Sequence, residues 1–429
     1  MKKFLLIALV ITLVAGIAST AFAVTEIRFA WWGSVGRHAI YNEICDLFEA
    51  ANPDIKVLRE YSEWNDYWDR LTTQAAGGNQ PDVMQFNSYT IAEYSSRGVL
   101  MDLEPLVEQG LIDMSDWDPV TKDIGRRDGI LYAVPFSYTI PAVFVNTSYV
   151  ERLGLEIPDP NVTMTFDELA DFILEVQNAL DEQGIEAWAL QDPGKFENFF
   201  ETFIRQRGKT LIADDGTSLG FDRQDVIDYF TWIDNLRQAG AVPPAEIMAE
   251  EGSQPWENSM AVNRRVVMLM SNSNQAKVYQ RYMGEDELEI YRIPVDPKAA
   301  QSHGEPLDYM TNAISATTKH PEAAARFVDF FTNNIEAQRV LDAEHGAPTS
   351  PIVSAALTPE FDRIIQSQIR HTNQVKETVP PYYGRPAGVN PIIDGLFICS
   401  DEIAYGVKPI ERAVDDFMRE AERAVRRLR

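Results

Sequence analysis

Residues 61–87 read YSEWNDYWDRLTTQAAGGNQPDVMQFN. Three aromatic residues, Trp64, Tyr67 and Trp68, lead a helical run over 66–76. The Gly77-Gly78 pair breaks it, and a strand-like run over 82–86 ends in Gln85 and Asn87. Upstream, 26–31 places Ile27, Phe29 and Trp31 on one face of a strand. Ile40, Ile44, Leu47 and Phe48 follow at helical spacing until Asn52-Pro53 stops the helix, and 54–61 reads as a second strand. This βαβαβ order predicts a largely parallel sheet with helices on both faces. Ligands of such sheets sit beyond the carboxyl ends of the strands. Those ends are 31–34, 61–64 and 85–89, three loops rich in aromatic and amide groups that converge on one rim.

Further along, 131–146 reads as two strands separated by a polar aromatic break. Thr165 is an N-cap with Glu168 completing a capping box. A second mixed domain is expected over about 140–305, and 304–346 returns to the first, with a short strand near 312–316. Pro321 opens a helix whose core side is Ala325, Val328 and Phe331, and 410–428 is a charged amphipathic helix. The repeated crossings predict two lobes on a hinge. The division is 1–23 leader, 24–138 with 306–347 as lobe 1, and 139–305 with 348–429 as lobe 2.

Lys2 and Lys3, an apolar core and Ala21-Phe22-Ala23 form a secretory leader, too short to span a membrane. No cysteine stands at the cleavage site, so a soluble periplasmic monomer is expected rather than a lipoprotein. Removing Lys2 and Lys3 with the leader takes the formal charge from −27 to −29, which argues against nucleic acid and anionic membrane surfaces as partners. The two cysteines, Cys45 and Cys399, read as buried free thiols, although spacing does not settle pairing.

Flat rings beside neutral amides suit a sugar, which has apolar faces and many hydroxyls. Trp31 and Trp32 point opposite ways on a strand, so one belongs to the core and the other to the rim. Trp64 lies in a polar turn, as a stacking platform would. Ser34, Gln85 and Asn87 are polar contacts on the same loops; the amides could equally serve loop backbone. Tyr138 reaches from the first crossing. Trp188, Trp256, Asn272 and Asn274 are the second-domain candidates, each weighed against ordinary packing. Tyr382, Tyr383 and Arg385 form an aromatic and basic cluster held by prolines. Arg37 either forks onto a ligand carboxylate or pairs with Glu43 or Glu49. With Arg385 it raises an acidic sugar such as a uronide as a ligand.

No cofactor or metal is expected: Walker and H-E-x-x-H motifs are absent, and the five histidines are scattered. Gly216-Thr217-Ser218-Leu219-Gly220 matches G-x-S-x-G but lacks the strand before and the helix after that a serine nucleophile needs. It reads as a turn, and the chain as a binding protein rather than an enzyme.

The order W-x-x-Y, L-T-T-Q, A-G-G-N-x-P-D-V resembles the extracellular solute-binding proteins (family 1) of ABC-type sugar transporters. So do WWGS (31–34), FEAANPDIKV (48–57), GVLMDLEPL (98–106), YAVP (132–135), SMAVNRRVVMLMSNSNQ and AISATTKHPEAAARFVDFF, across nearly the whole chain after the leader. One departure is Asn263-Arg264-Arg265, where the family more often has a small, glycine-containing turn. The resemblance implies a two-lobed α/β clamp of the periplasmic-binding-protein type II, with sugar in the cleft, a first crossing within 131–146, and an ABC permease as partner. A secreted glycoside hydrolase and a non-sugar binding protein of the same fold are the alternatives.

Overall fold

Strand β1 (Thr25–Trp32) buries Ile27, Phe29 and Trp31 on one face and Ala30 and Trp32 on the other, as a central strand covered on both faces must. The structure, a computed structural model, describes residues 24–427 apart from 214, 252, 253, 302, 381, 383 and 387. The leader read over 1–23 lies outside them.

Helix α1 (Val35–Ala51) begins before its apolar spacing does, because the Ser34 hydroxyl accepts the Arg37 N–H. Strand β2 (Ile55–Ser62) runs parallel to β1 in continuous register, from Thr25 opposite Ile55 to Trp32 opposite Ser62. Helix α2 (Trp64–Ala76) and strand β3 (Val83–Asn87) complete the βαβαβ unit. Strands β4 (Ala133–Thr139) and β5 (Pro141–Asn146) are separated by Ile140 alone. The aromatic break expected there is absent, and Tyr138 lies inside β4.

The second sheet adds helix α3 (Phe166–Glu182), strand β6 (Trp188–Leu190), helix α4 (Glu197–Gln206), strand β7 (Val266–Asn272), helix α5 (Gln275–Tyr282) and strand β8 (Leu288–Tyr291). The Thr165–Glu168 capping box starts α3, with Thr165 N–H on the Glu168 carboxylate at 2.7 Å and Glu168 N–H on the Thr165 hydroxyl at 3.1 Å. The chain returns along β9 (Asp308–Ile314), helix α6 (Pro321–Asn333) and β10 (Ala347–Pro348). Helices α7 (Arg363–Lys376), α8 (Asn390–Ala404) and α9 (Ile410–Arg426) then pack on the second lobe.

The six-stranded sheet has the order β10-β4-β9-β3-β1-β2, and the four-stranded one β8-β5-β7-β6. Each has apolar clusters on its two faces, and a small cluster around Ile140, Leu307 and Tyr309 fills the joint. The result is a two-lobed α/β molecule. The third crossing depends on Gly346: its φ is +112°, and a Cβ there would lie 1.8 Å from the Tyr138 carbonyl oxygen.

Arg264, in the departure noted above, has φ +57°. Left-handed backbone costs a non-glycine residue roughly 1–2 kcal/mol. The conformation aims the guanidinium at Asp286, which it meets at 2.8 and 2.9 Å beside Arg152 and Asn146. Cys45 and Cys399 are buried and unpaired in different lobes, and burial pushes both thiols up to about 12. Ser218 lies in a turn closed by Ile212 against Leu219, and the next helix begins only at Arg223, so the serine does not stand on a strand-to-helix elbow.

Candidate ligand-binding cleft

The carboxyl ends of β1, β2 and β3, the end of β4 and the start of antiparallel β9 share one rim, and there the chain passes to the other lobe. Facing it are the end of β7, paired as Asn272 opposite Pro141 at the start of β5, the first turn of α4, and the segment around Tyr382–Arg385.

Trp64 is the first residue of α2 rather than part of a turn, and is 45% exposed. Its ring stands edge-on to Trp32 at 5.0 Å and to Trp68 at 5.4 Å, so an open platform rests on a packed aromatic base. Trp32, 6% exposed, is part of that base. Trp31 points through the other face into the core, its indole N–H on His38 Nδ1 at 3.1 Å. Ser34 is exposed at the start of α1.

Several expected contacts lie elsewhere. Gln85 sits inside β3, fully buried, its amide donating to the Tyr41 hydroxyl at 3.0 Å; that hydroxyl also pairs with His345. Strand β3 extends to Asn87. The Asn87 side-chain oxygen Oδ1 accepts the Tyr89 and Thr90 N–H groups, both at 3.1 Å, so it shapes the loop. Tyr138 is buried with its hydroxyl on Thr121. Trp188 pairs with Val266 at the start of β7, about 20 Å along the strand from Asn272 at 3.3 Å per residue. It carries the Arg265 guanidinium over its ring. Trp256 stands edge-on to Tyr279 of α5 and is 41% exposed. Tyr383 lies outside the described residues.

Arg37 pairs with Glu344 at 3.4 Å, neither with Glu43 nor with Glu49, which holds Lys56 and the Val57 N–H. Arg385 is almost fully buried. It donates to Glu201 at 2.8 Å and to the Asn198 carbonyl, lies 3.6 Å from Glu197, and covers the Tyr89 ring at 4.5 Å. Both arginines therefore have protein carboxylates as counter-charges.

Asn198 is buried where the lobes meet. Its amide donates to Asn272 at 2.8 Å and to the Tyr89 hydroxyl at 3.4 Å. The Asn274 carbonyl oxygen is buried without a partner. Asp308 receives hydrogen bonds from the Ser88 and Tyr89 hydroxyls and from the Tyr309 N–H at 2.9 Å. Burial nevertheless pushes its carboxyl up to about 6, against those bonds and the charge of Arg385. Tyr89, Asn198, Glu201 and Asp308 were not singled out from the sequence. The one local signal was Asn198 and Glu201 at helical spacing among Phe199, Phe200 and Phe203.

A profile described as bacterial extracellular solute-binding protein matches residues 43–363. An uncharacterized lipoprotein of Streptomyces antibioticus is 22% identical over 378 residues, 83% of this chain and 81% of the relative. A lactose-binding protein of Rhizobium radiobacter is 25% identical over 175 residues, 39% of each chain. Among solved structures, a periplasmic oligogalacturonide binding protein from Yersinia enterocolitica, in complex with saturated digalacturonic acid, superposes with a TM-score of 0.76. It is 22% identical, and the match covers 94% of this chain and 99% of that one.

Proposed function

The chain belongs to the bacterial extracellular solute-binding protein family, with its two-lobed periplasmic-binding-protein-like fold, and from that premise we propose that it captures a sugar or short oligosaccharide between its lobes and delivers it to an ABC transporter permease. The observation that carries the reading is Trp64: a large ring left open at the strand-end rim on a packed aromatic base, with the amides of Asn272 and Asn274 at the end of β7 in the other lobe. The ring would stack on a pyranose face while Ser34 and the amides read its hydroxyls. Contacts to both lobes favour the closed state, which a permease could recognise.

Relatives that take lactose and digalacturonic acid are consistent with a carbohydrate ligand but differ in its charge. Because Arg37 and Arg385 are both paired here, a neutral sugar is the favoured class. The test is a panel of neutral and galacturonate oligomers of equal length. A thermal shift without product formation supports a binder, and turnover would identify a glycoside hydrolase. Preference for the galacturonate series, lost in both Arg37→Ala and Arg385→Ala, would overturn the neutral assignment.

Trp64→Ala should weaken binding of the oligomer that gives the largest shift by on the order of 1–3 kcal/mol, the scale of an aromatic side chain's contact area, with unfolding little changed because the ring is already half in solvent. Calorimetry at one temperature checks it. Unchanged affinity would remove Trp64 from the site.

A further inference from the structure

We propose that Asp308 is a positioning residue that couples proton uptake to the contact between the lobes: the closed joint buries its carboxyl against Ser88 and Tyr89, protonation favours that contact, and ionisation loosens it. The proposal rests on the reading of this molecule as a two-lobed clamp, not on the identity of its ligand.

Asp308 is the first residue of β9, the strand of return from the second lobe, and pairs with Thr139, the last residue of β4 before the first crossing. Its carboxylate thus sits at the joint between two connections. From there it accepts the hydroxyls of Ser88 and Tyr89, the two residues that follow β3. Those residues meet the second lobe and its C-terminal segment in three separate ways. The Tyr89 ring lies under the Arg385 guanidinium at 4.5 Å. The Tyr89 hydroxyl accepts from Asn198. Gly384, at φ +80°, is so close to the Ser88 carbonyl that a Cβ would lie 2.3 Å from its oxygen.

The charges around this joint are disposed so that ionisation matters. Arg385 faces Asp308 from the second lobe, itself bound to Glu201 and near Glu197 of α4. Arg127 donates to the Tyr309 hydroxyl at 3.1 Å, and the Tyr382 phenol completes the enclosure. Arg292 and Glu305, three residues upstream of Asp308, are closed on each other. Ionised Asp308 accepts from both hydroxyls and attracts Arg385 across the joint, but burial outweighs these bonds. The enclosed joint therefore prefers the neutral acid, and the charge is relieved when the lobes part and water reaches it. Its carboxyl is pushed up to about 6, so the change falls in mildly acidic solution.

Small-angle scattering of the protein without added sugar, at about pH 5 and about pH 7.5 on either side of that value, tests this. The wild type should show a larger radius of gyration at the higher pH. Asp308→Asn, neutral throughout, should show the smaller value at both, and Tyr89→Phe should reduce the pH-dependent change. Circular dichroism at both pH values separates opening from unfolding. A wild type of one size at both pH values, or an Asp308→Asn variant that keeps the full change with its fold intact, overturns the proposal. Failure of every sugar in the panel above would leave this measurement unaffected.

Discussion

Glu305→Ala should lower the unfolding free energy by roughly 3–5 kcal/mol, the cost of leaving one member of a buried ion pair alone. Glu305 is 0% exposed and Arg292 4%. Two parallel bonds of 2.8 and 2.9 Å join them, and the remaining arginine nitrogen reaches the Gln374 carbonyl and the Thr378 hydroxyl. The pair therefore ties the second crossing to the end of α7. The alanine variant strands the guanidinium where water does not reach it. Replacing both residues, Arg292→Met with Glu305→Leu, should recover most of the loss, because the desolvation cost disappears with the charge. Burial alone would push the Glu305 carboxyl up; the charge and hydrogen bonds of Arg292 more than offset it and hold it below its ordinary value. A depressed carboxylate stabilises above its unfolded value, about 4.3. The deficit should thus be complete at neutral pH and shrink as pH falls through the lowered folded value. Urea titrations at both pH values check the size and the trend. A deficit below about 1 kcal/mol at neutral pH would mean that water reaches the pair.

The parts of this molecule that follow from short-range rules could be read from its residues. The βαβαβ order, the Thr165–Glu168 box and the buried face of Ala325, Val328 and Phe331 depend on periodicity and caps, which are local. So does the rim where Trp64 stands, since strand order alone decides which loops converge. The site itself was less legible. Gln85 read as a strand-end amide but is covered on β3, where its partner Tyr41 comes from helix α1, 44 residues away. Trp188 looked like a platform but stands at the wrong end of a parallel strand, a matter of register that composition does not carry. The partners of Arg37 and Arg385 were not legible because they are distant in sequence: Glu344 lies 307 residues from Arg37, where Glu43 or Glu49 was the ion-pair partner considered, and Glu201 lies 184 from Arg385. Asn198 and Asp308 gain their roles only when helix α4 and strand β9 are brought together across the joint.

Asp308→Asn should make the protein more stable at neutral pH, the opposite of the usual result for a buried polar residue. The folded carboxyl is pushed up to about 6 from its ordinary value of 3.8, chiefly by burial. Between those values the folded state holds a proton that the unfolded chain has released, so stability falls as pH rises. At 1.36 kcal/mol per unit the full loss is about 3 kcal/mol, reached above the folded value. Asparagine carries no charge at any pH and keeps one oxygen to accept from Ser88 or Tyr89. The variant should therefore exceed the wild type by about 1–3 kcal/mol near pH 7.5, the lower figure allowing for the weaker acceptor and the lost attraction to Arg385. Near pH 4, where the wild-type carboxyl is itself neutral, the advantage should vanish. Denaturant midpoints across that range would trace the curve. A variant less stable than the wild type at pH 7.5 would show that the ionised carboxylate is fully compensated by its partners. A gain confined to neutral pH would instead mark Asp308 as a charge kept in the joint at a cost to the fold, as groups that serve binding or motion often are.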